Sequence, residues 1–538
     1  MVLVPGVVRY TYGMNRILRR ANVKLSLGNA AFLLASSSFL GVILGVIRTK
    51  AINSNFNNFM SGAYFAAFKI PDLIYIAFAS GAISVAFMPV LTDKLGKGNR
   101  KGAWQLTSYV LNAMALVTFV MSLLLIIFAR PLLEHVIAPG FSPERLDVAT
   151  SVMRLVAINP LVFSIVSVLA SVQQAMGRFF FFAIAPLFYN ISIIASIYIF
   201  QDNIGIVGLG VGVAIGSLLN LAVVSLGMIG LNFKHSLRIN LRDKSLRQVM
   251  TAVPPRSINQ GITQINTIAE TRFASRISIS AVTNFENALV LHNAPVRLIG
   301  VAISTAAFPR FTERLSQGRP DLFRKEFMGV LKAMIWIAVP VVAASYFGRD
   351  YLARIIFSND NREIAIIFGF LSISMFFRTI YSVITRYFYA QKDTKTPLYV
   401  SLFTIAFNVY LAYRLSRADA YGVSGLAIAA STTAALEVMT LLFIMKKRDH
   451  KMFDLDFFKG LMSILATAAF VSVGAFFFSI FLPLKPTDVS VILYVKISII
   501  GLLTIALHIF VSWILGVEES KPVTAKIKKI ILRPVKIN

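Results

Sequence analysis

Apolar stretches long enough to cross a bilayer recur from one end of the chain to the other. They fall at about 28–52, 60–92, 103–128, 148–176, 179–200, 204–231, 248–271, 281–309, 326–347, 364–390, 396–413, 421–445, 458–482 and 489–515. About 20 such residues, wound as a helix, match a hydrocarbon core of roughly 30 Å. A helix also satisfies its own backbone N–H and C=O groups where no water can. The expectation is an all-α polytopic membrane protein of about 14 transmembrane helices. Composition agrees: 57% of the 538 residues are hydrophobic and 14% charged. Soluble domains run near 45–50% and 25%, so a soluble enzyme and a disordered chain are both excluded.

The formal net charge is +29, and its distribution sets topology. Connections after odd-numbered runs are poor in Lys and Arg: 53–59 and 201–204 have none, and 483–488 has Lys485 alone. Connections after even-numbered runs are rich, as in Lys94, Lys97, Arg100 and Lys101, or Lys234, Arg238, Arg242, Lys244 and Arg247. Two more carry Arg310, Arg314, Arg319, Arg324 and Lys325, and Lys446, Lys447, Arg448, Lys451 and Lys459. Cytoplasmic loops collect such residues, which places both termini in the cytoplasm and requires an even number of spans. The charge is read as topology and contact with anionic membrane lipid, not nucleic acid. The chain has no cysteine and five scattered histidines; neither HExxH nor a helical His pair occurs, so no metal or cofactor is expected. Residues 1–27 read as a basic cytoplasmic lead-in, not a signal peptide.

An internal repeat divides the remainder. Ala82, Ile83, Ser84, Ala86, Pro89 and Thr92 recur as Ala302, Ile303, Ser304, Ala306, Pro309 and Thr312 at an ungapped offset of 220, and Asp93 becomes Glu313. Pro186-Leu187 and Pro397-Leu398 follow in order, then Gly205-x-x-Gly208-Leu209 and Gly422-x-x-Gly425-Leu426. Runs 1–6 and 7–12 therefore read as two copies of one six-helix bundle in the same orientation. They form an N-lobe at 28–231, a cytoplasmic linker at 232–247 and a C-lobe at 248–445. Two further helices follow at 446–515, then a basic tail at 516–538. Parallel repeats of this kind are a transporter architecture, with substrate between the halves and alternating access.

Ionisable groups inside spans are costly and mark pathways. They are Arg48, Lys69, Asp72, Arg154, Arg256, Glu270, Arg272, Glu286, Arg297, Lys332, Arg378 and Glu437. Arg48, Arg154, Arg272 and Lys332 lie near span ends, where a long side chain also reaches the headgroups. Glu270 has Arg272 and Arg256 as local pairing partners, and Lys69 and Asp72 flank Pro71. Arg297 lies near the middle of its run and Arg256 follows two prolines. Guanidinium groups grip phosphate with two parallel hydrogen bonds, so a cationic cavity points to an anionic, diphosphate-bearing substrate. Arg48, Lys69, Arg256 and Arg297 are the candidate substrate-binding residues; Asp72, Glu270 and Glu286 are candidates for ion coupling or structural pairing. No Walker P-loop is present, so drive would come from membrane potential or an ion gradient. Gly208-x-Gly210-x-Gly212 inside a span reads as small-residue helix packing.

Several segments resemble the MurJ (MviN) family of lipid II flippases, in the multidrug/oligosaccharidyl-lipid/polysaccharide exporter superfamily. They are Leu44-Gly45-x-x-Arg48, Phe65 to Leu73, Gly81-Ala82-x-Ser84-x-Ala86-Phe87-x-Pro89, Ala138-Pro139-Gly140-Phe141, Arg178-Phe179 and Ala185-Pro186-x-x-x-Asn190-Ile191-Ser192. Gly300-Val301-Ala302 with Pro309, and Phe388 to Pro397, continue the likeness. The resemblance implies a fourteen-helix fold with a cationic central cavity. It implies export of the undecaprenyl-diphosphate-linked peptidoglycan precursor from the inner to the outer leaflet of a bacterial cytoplasmic membrane, with cell-wall synthesis proteins as further partners. The chain departs from the family pattern at Val42, Thr49, Gly62, Tyr75, Ser80 and Val290, where charged residues are expected. Arg297 follows Val290 by seven residues, two α-helical turns, so Arg297 with Arg256 and Lys69 is expected to replace the lost positive charge. Alternatives are a flippase for another polyprenyl-diphosphate-linked glycan, a cation or drug antiporter, a diverged non-transporting paralogue and a scaffold. Short loops weigh against the last.

Overall fold

The computed structural model describes residues 24, 27–78, 81–357, 361–417 and 419–531; for 27, 31, 81–85, 254–260 and 527–531 it describes the backbone alone. The lead-in at 1–27 and the end of the tail fall largely outside the described residues. Among the described residues there is no strand.

The helices are α1 Leu27–Asn55, α2 Asn58–Ala67, α3 Lys69–Phe78, α4 Gly81–Gly96, α5 Arg100–Pro131, α6 Pro143–Val156, α7 Asn159–Ala175, α8 Phe180–Phe200, α9 Val207–Leu226, α10 Lys244–Ala274 and α11 Ala281–Pro295. Then come α12 Ala302–Ser316, α13 Pro320–Phe347, α14 Arg349–Ile356, α15 Asn361–Ala390, α16 Lys395–Leu415, α17 Val423–Arg448, α18 Leu455–Phe481, α19 Ser490–Ile514 and α20 Lys521–Ile531. Polar side chains start several of them. Asn57 accepts from the Met60 N–H at 3.0 Å, Asn99 from Gly102 at 2.8 Å and Asp243 from Leu246 at 2.8 Å, satisfying donors that a helix start leaves open.

Among the described residues, 12 stretches are long and apolar enough to cross a membrane. The two remaining expected spans depart for identifiable reasons. The run at 60–92 is interrupted at Phe68, between α2 and α3, because Pro71 cannot donate to the carbonyl four residues back. The run at 248–271 forms the continuous helix α10, but it carries too many polar residues to meet the apolar criterion. Prolines also reshape two other spans. A π-helical turn, Leu132–Ile137, follows Pro131, and another, Val296–Val301, follows Pro295.

The chain divides into two compact units between Thr283 and Asn284. In the first, α10 packs on α3, α4 and α5. The core there joins Phe87 and Leu91 of α4, Leu106 and Val110 of α5, Val168 and Val172 of α7, and Leu246 and Val249 of α10. Helices α8 and α9 approach closely where Gly212 faces Ser196, and the Ser192 hydroxyl donates to the Gly212 carbonyl at 2.9 Å. In the second unit, Phe311, Phe323, Phe327, Tyr387 and Phe388 form an aromatic core among α12, α13 and α15, with Leu441 and Met445 of α17 packed against it.

The repeat is visible as local geometry. Thr92 donates its hydroxyl to the Met88 and Pro89 carbonyls, and Thr312 does the same to Phe308 and Pro309. Each threonine thus caps a carbonyl beside a proline. Both helices then end alike: Asn99 N–H bonds the Lys94 carbonyl and Arg319 N–H that of Arg314, each at 3.0 Å. These closures turn through Gly98 (φ 72°) and Gly318 (φ 68°), backbone that a Cβ disfavours. The later glycine pair agrees, with Gly205 at φ 59° and Gly422 at φ 54°.

Candidate functional site

The first unit carries Arg48 on α1, half-buried. Its Nη1 donates to Asn190 Oδ1 on α8 at 3.1 Å. Asn190 in turn donates its amide to the Pro186 carbonyl at 3.2 Å, which orients its oxygen toward the arginine. The Pro186-x-x-x-Asn190 pattern is therefore a bracket for a guanidinium. Arg48 Nε is buried with no protein partner among the described residues. Thr49, at a position where an acid was expected, turns its hydroxyl back to the Gly45 carbonyl at 3.0 Å.

Around this bracket lies a polar-aromatic cluster. The Tyr64 and Tyr189 hydroxyls both lie within electrostatic reach of Arg48 and Asp72. Asn159 donates to the Tyr189 hydroxyl at 3.3 Å, and Phe163 packs between Tyr75 and Tyr189 at centroid distances of 5.2 and 5.4 Å. Tyr75, another substituted position, thus forms part of an aromatic wall. Lys69 is buried at the start of α3 and Asp72 half-buried one turn later.

The remaining candidates have separate settings. Glu270 is buried and accepts from Asn266 at 2.9 Å. Arg272 donates to the His135 and Val136 carbonyls at the end of the first π turn, not to a carboxylate. The Arg256 side chain lies outside the described residues, although its backbone continues α10. In the second unit Glu286 is half-buried on α11. Arg297 is exposed and makes no hydrogen bond or ion pair with a described residue. It stands in the π turn after Pro295, so its seven-residue spacing from Val290 is not two uninterrupted α-helical turns. Arg378 pairs with buried Glu437 at 2.7 Å. Lys332 sits 5.8 Å above the Phe457 ring, and exposed Arg154 donates to the Ile126 carbonyl.

Sequence reasoning assigned no partner to three arginines with structural or surface roles. Arg145, 3% exposed, donates to the Phe59 and Asn58 carbonyls. Arg178 ties the loop after α7 to the Gly227 and Ile229 carbonyls. Arg448 bonds Asp393 Oδ2 at 2.7 Å and the Thr396 hydroxyl at 2.7 Å. Burial alone would raise the Asp393 carboxyl, but the Thr396 hydroxyl and N–H together with Arg448 hold it down at about 2. The Asp393-x-x-Thr396 pattern was the available signal for that helix start. Arg145 and Arg178 had none, since a backbone carbonyl has no sequence signature.

The family model described as lipid II flippase MurJ matches residues 55–499. The probable lipid II flippase MurJ of Borreliella burgdorferi is 24% identical over 461 residues, 84% of this chain and 90% of that protein. The protein of the same description from Bdellovibrio bacteriovorus is 25% identical over 435 residues, 78% and 82% of the two chains. Among solved structures, lipid II flippase MurJ in an inward closed conformation matches with TM-score 0.74 and 22% identity over 90% of this chain and 98% of that one. An inward-facing multidrug resistance MATE family transporter of the MOP superfamily matches with TM-score 0.65 and 12% identity, over 78% and 98%.

Proposed function

The chain belongs to the lipid II flippase MurJ family, and from that premise we propose that it carries the lipid-linked peptidoglycan precursor from the inner to the outer leaflet of the bacterial cytoplasmic membrane. It is a transporter and not an enzyme. Both termini lie in the cytoplasm, as the basic connections favour. The headgroup enters from that side, its diphosphate meets guanidinium groups and its polyprenyl tail stays in lipid. Alternating access then presents the headgroup to the other side.

The observation that carries this reading is Arg48 in its Asn190 bracket. The guanidinium is fixed at Nη1 by Asn190, and the side chain as a whole is only half-buried. A charge-assisted bond to a phosphate oxygen suits such a group. Lys69 and Arg256 of the same unit are further candidates, and Arg297, exposed and unpaired among the described residues, is the candidate on the second unit. Drive comes from membrane potential or an ion gradient, each charge moved through the field gaining about 2.3 kcal/mol per 100 mV. Cell-wall synthesis proteins are proposed partners.

Depletion of the resident lipid II flippase in a bacterial host, with rescue by this chain, is the experiment. Rescue by the wild type and failure of Arg48→Ala are expected. A wild-type chain that reaches the membrane but does not rescue would overturn the substrate assignment.

A further inference from the structure

On the first unit, away from the basic connections, the first turn of α2, the loop entering α6 with its first turn, and the exit from α10 line an open pocket of about 280 Å³. Arg145 forms its base and Arg276 stands exposed on its rim, with Ser142, Ser275 and Ser278 along the wall. The wall is fixed: Gly140 lies directly against the Ser275 carbonyl, where a Cβ would overlap it, and Arg272 locks the preceding π turn.

Arg145 is the unusual member. It is 3% exposed, its Nε donates to the Phe59 carbonyl at 2.9 Å and its Nη2 to the Asn58 carbonyl at 3.1 Å. Its guanidinium stacks 3.9 Å from the Phe141 ring centre, with the Phe59 ring at 5.4 Å. No carboxylate pairs with it among the described residues. A guanidinium has five N–H donors, so two carbonyl bonds leave capacity unused. Carbonyls and ring faces offer partial charge only, and a buried full charge is normally matched by a counter-charge. The space it occupies exists because residue 62 is glycine: a Cβ there would overlap Arg145 Nη2.

We propose that this pocket binds a phosphate group, either as free inorganic phosphate or as the phosphate end of a larger molecule, with Arg145 as counter-charge and Arg276 completing the grip. Its volume falls below the ~300–1,000 Å³ typical of drug-sized ligand sites, so it admits a small oxyanion and not a glycan. Two cations and hydroxyl donors, with no acid along the lining, select for negative charge.

The full chain in lipid nanodiscs, titrated with inorganic phosphate in low-salt buffer by calorimetry, tests the site. Saturable binding is expected. Arg276→Gln, on the exposed rim and tolerant of folding, should weaken it about tenfold, the usual worth of one charge-assisted bond. Gly62→Asp brings a carboxylate to Arg145 and should abolish it, while Lys97→Gln, on an exposed basic connection, leaves it unchanged. If Gly62→Asp fails to fold, Arg276→Gln decides. A short-chain polyprenyl diphosphate that displaces phosphate identifies a lipid headgroup as the source; failure to displace it identifies the free anion. No saturable binding, or full affinity in Arg276→Gln, overturns the proposal. The readout is independent of flipping, so failure here leaves the transport reading standing.

Discussion

Arg378 of α15 and Glu437 of α17 lie 2.7 Å apart, Nη1 to Oε2, and the other carboxylate oxygen accepts the Ser401 hydroxyl of α16 at 2.5 Å. Since Ser401 gives its proton to Glu437, Tyr381, 3.0 Å from Ser401, is the donor in their contact. Three helices of the second unit are thereby joined through one carboxylate. Glu437 is buried, whereas Arg378 keeps about a third of its side chain exposed.

Breaking one side of that pair strands the other charge. Arg378→Ala is expected to cost about 3 kcal/mol, because it leaves the buried Glu437 carboxylate without its counter-charge. The double replacement Arg378→Met with Glu437→Met should recover most of the loss. Thermal unfolding of the purified variants in detergent checks both. Equal destabilisation by the single and double variants would show that shape, not charge, holds the three helices.

Two glycines that both lie within spans should respond in opposite directions. A Cβ on Gly212 overlaps Ser196, so Gly212→Val forces α8 and α9 apart and should cost about 1–3 kcal/mol. Gly45 has no atom within 4 Å of its would-be Cβ. Gly45→Ala should therefore raise stability by about 0.5–1 kcal/mol, through lower backbone freedom in the unfolded chain. Comparison of midpoints for the two variants under one detergent condition is sufficient.

Acid should loosen the turn between α15 and α16. With Asp393 held at about 2 in the folded chain against an ordinary value near 3.9, the unfolded state takes up the proton first. The stabilisation is therefore complete above about pH 5 and lost as pH falls through about 4 toward 2. Asp393→Asn should be less stable than wild type at neutral pH, and the gap should close in that acid window. A gap that persists at pH 2 would show that the side chain acts through its shape.

Much of the fold was legible in sequence because hydropathy reports directly on lipid. The runs at 326–347 and 364–390, for example, are α13 and α15, each with additional polar turns at its start. The repeat was legible because Pro89 and Pro309 keep the same threonine cap and Gly205 and Gly422 the same left-handed backbone. The breaks at Phe68 and at the two π turns were not, since hydropathy does not record how a proline shifts helical register. The partners of the candidate residues were not legible. Arg48 finds Asn190 across 142 positions, and Arg272 finds the Val136 carbonyl across 136. Such pairings follow from packing between helices, to which a linear spacing gives no access.

The Arg48 bracket yields a graded expectation for transport. Arg48→Ala removes the charge and should abolish rescue of a flippase-depleted host. Arg48→Lys keeps the charge but loses the planar fork, so partial rescue is expected. Asn190→Ala leaves Arg48 in place without its orienting carboxamide oxygen; one hydrogen bond to a charged group is worth about 1.5–3 kcal/mol, so transport should fall by roughly tenfold or more. Asn190 is thus a positioning residue, and its loss should raise the substrate concentration needed for half-maximal flipping more than it lowers the limiting rate. A lipid II flipping assay in proteoliposomes separates the two quantities. If Asn190→Ala lowered only the amount of folded protein, with both quantities unchanged per molecule, the bracket would be a structural tie and Arg48 would be oriented by something else.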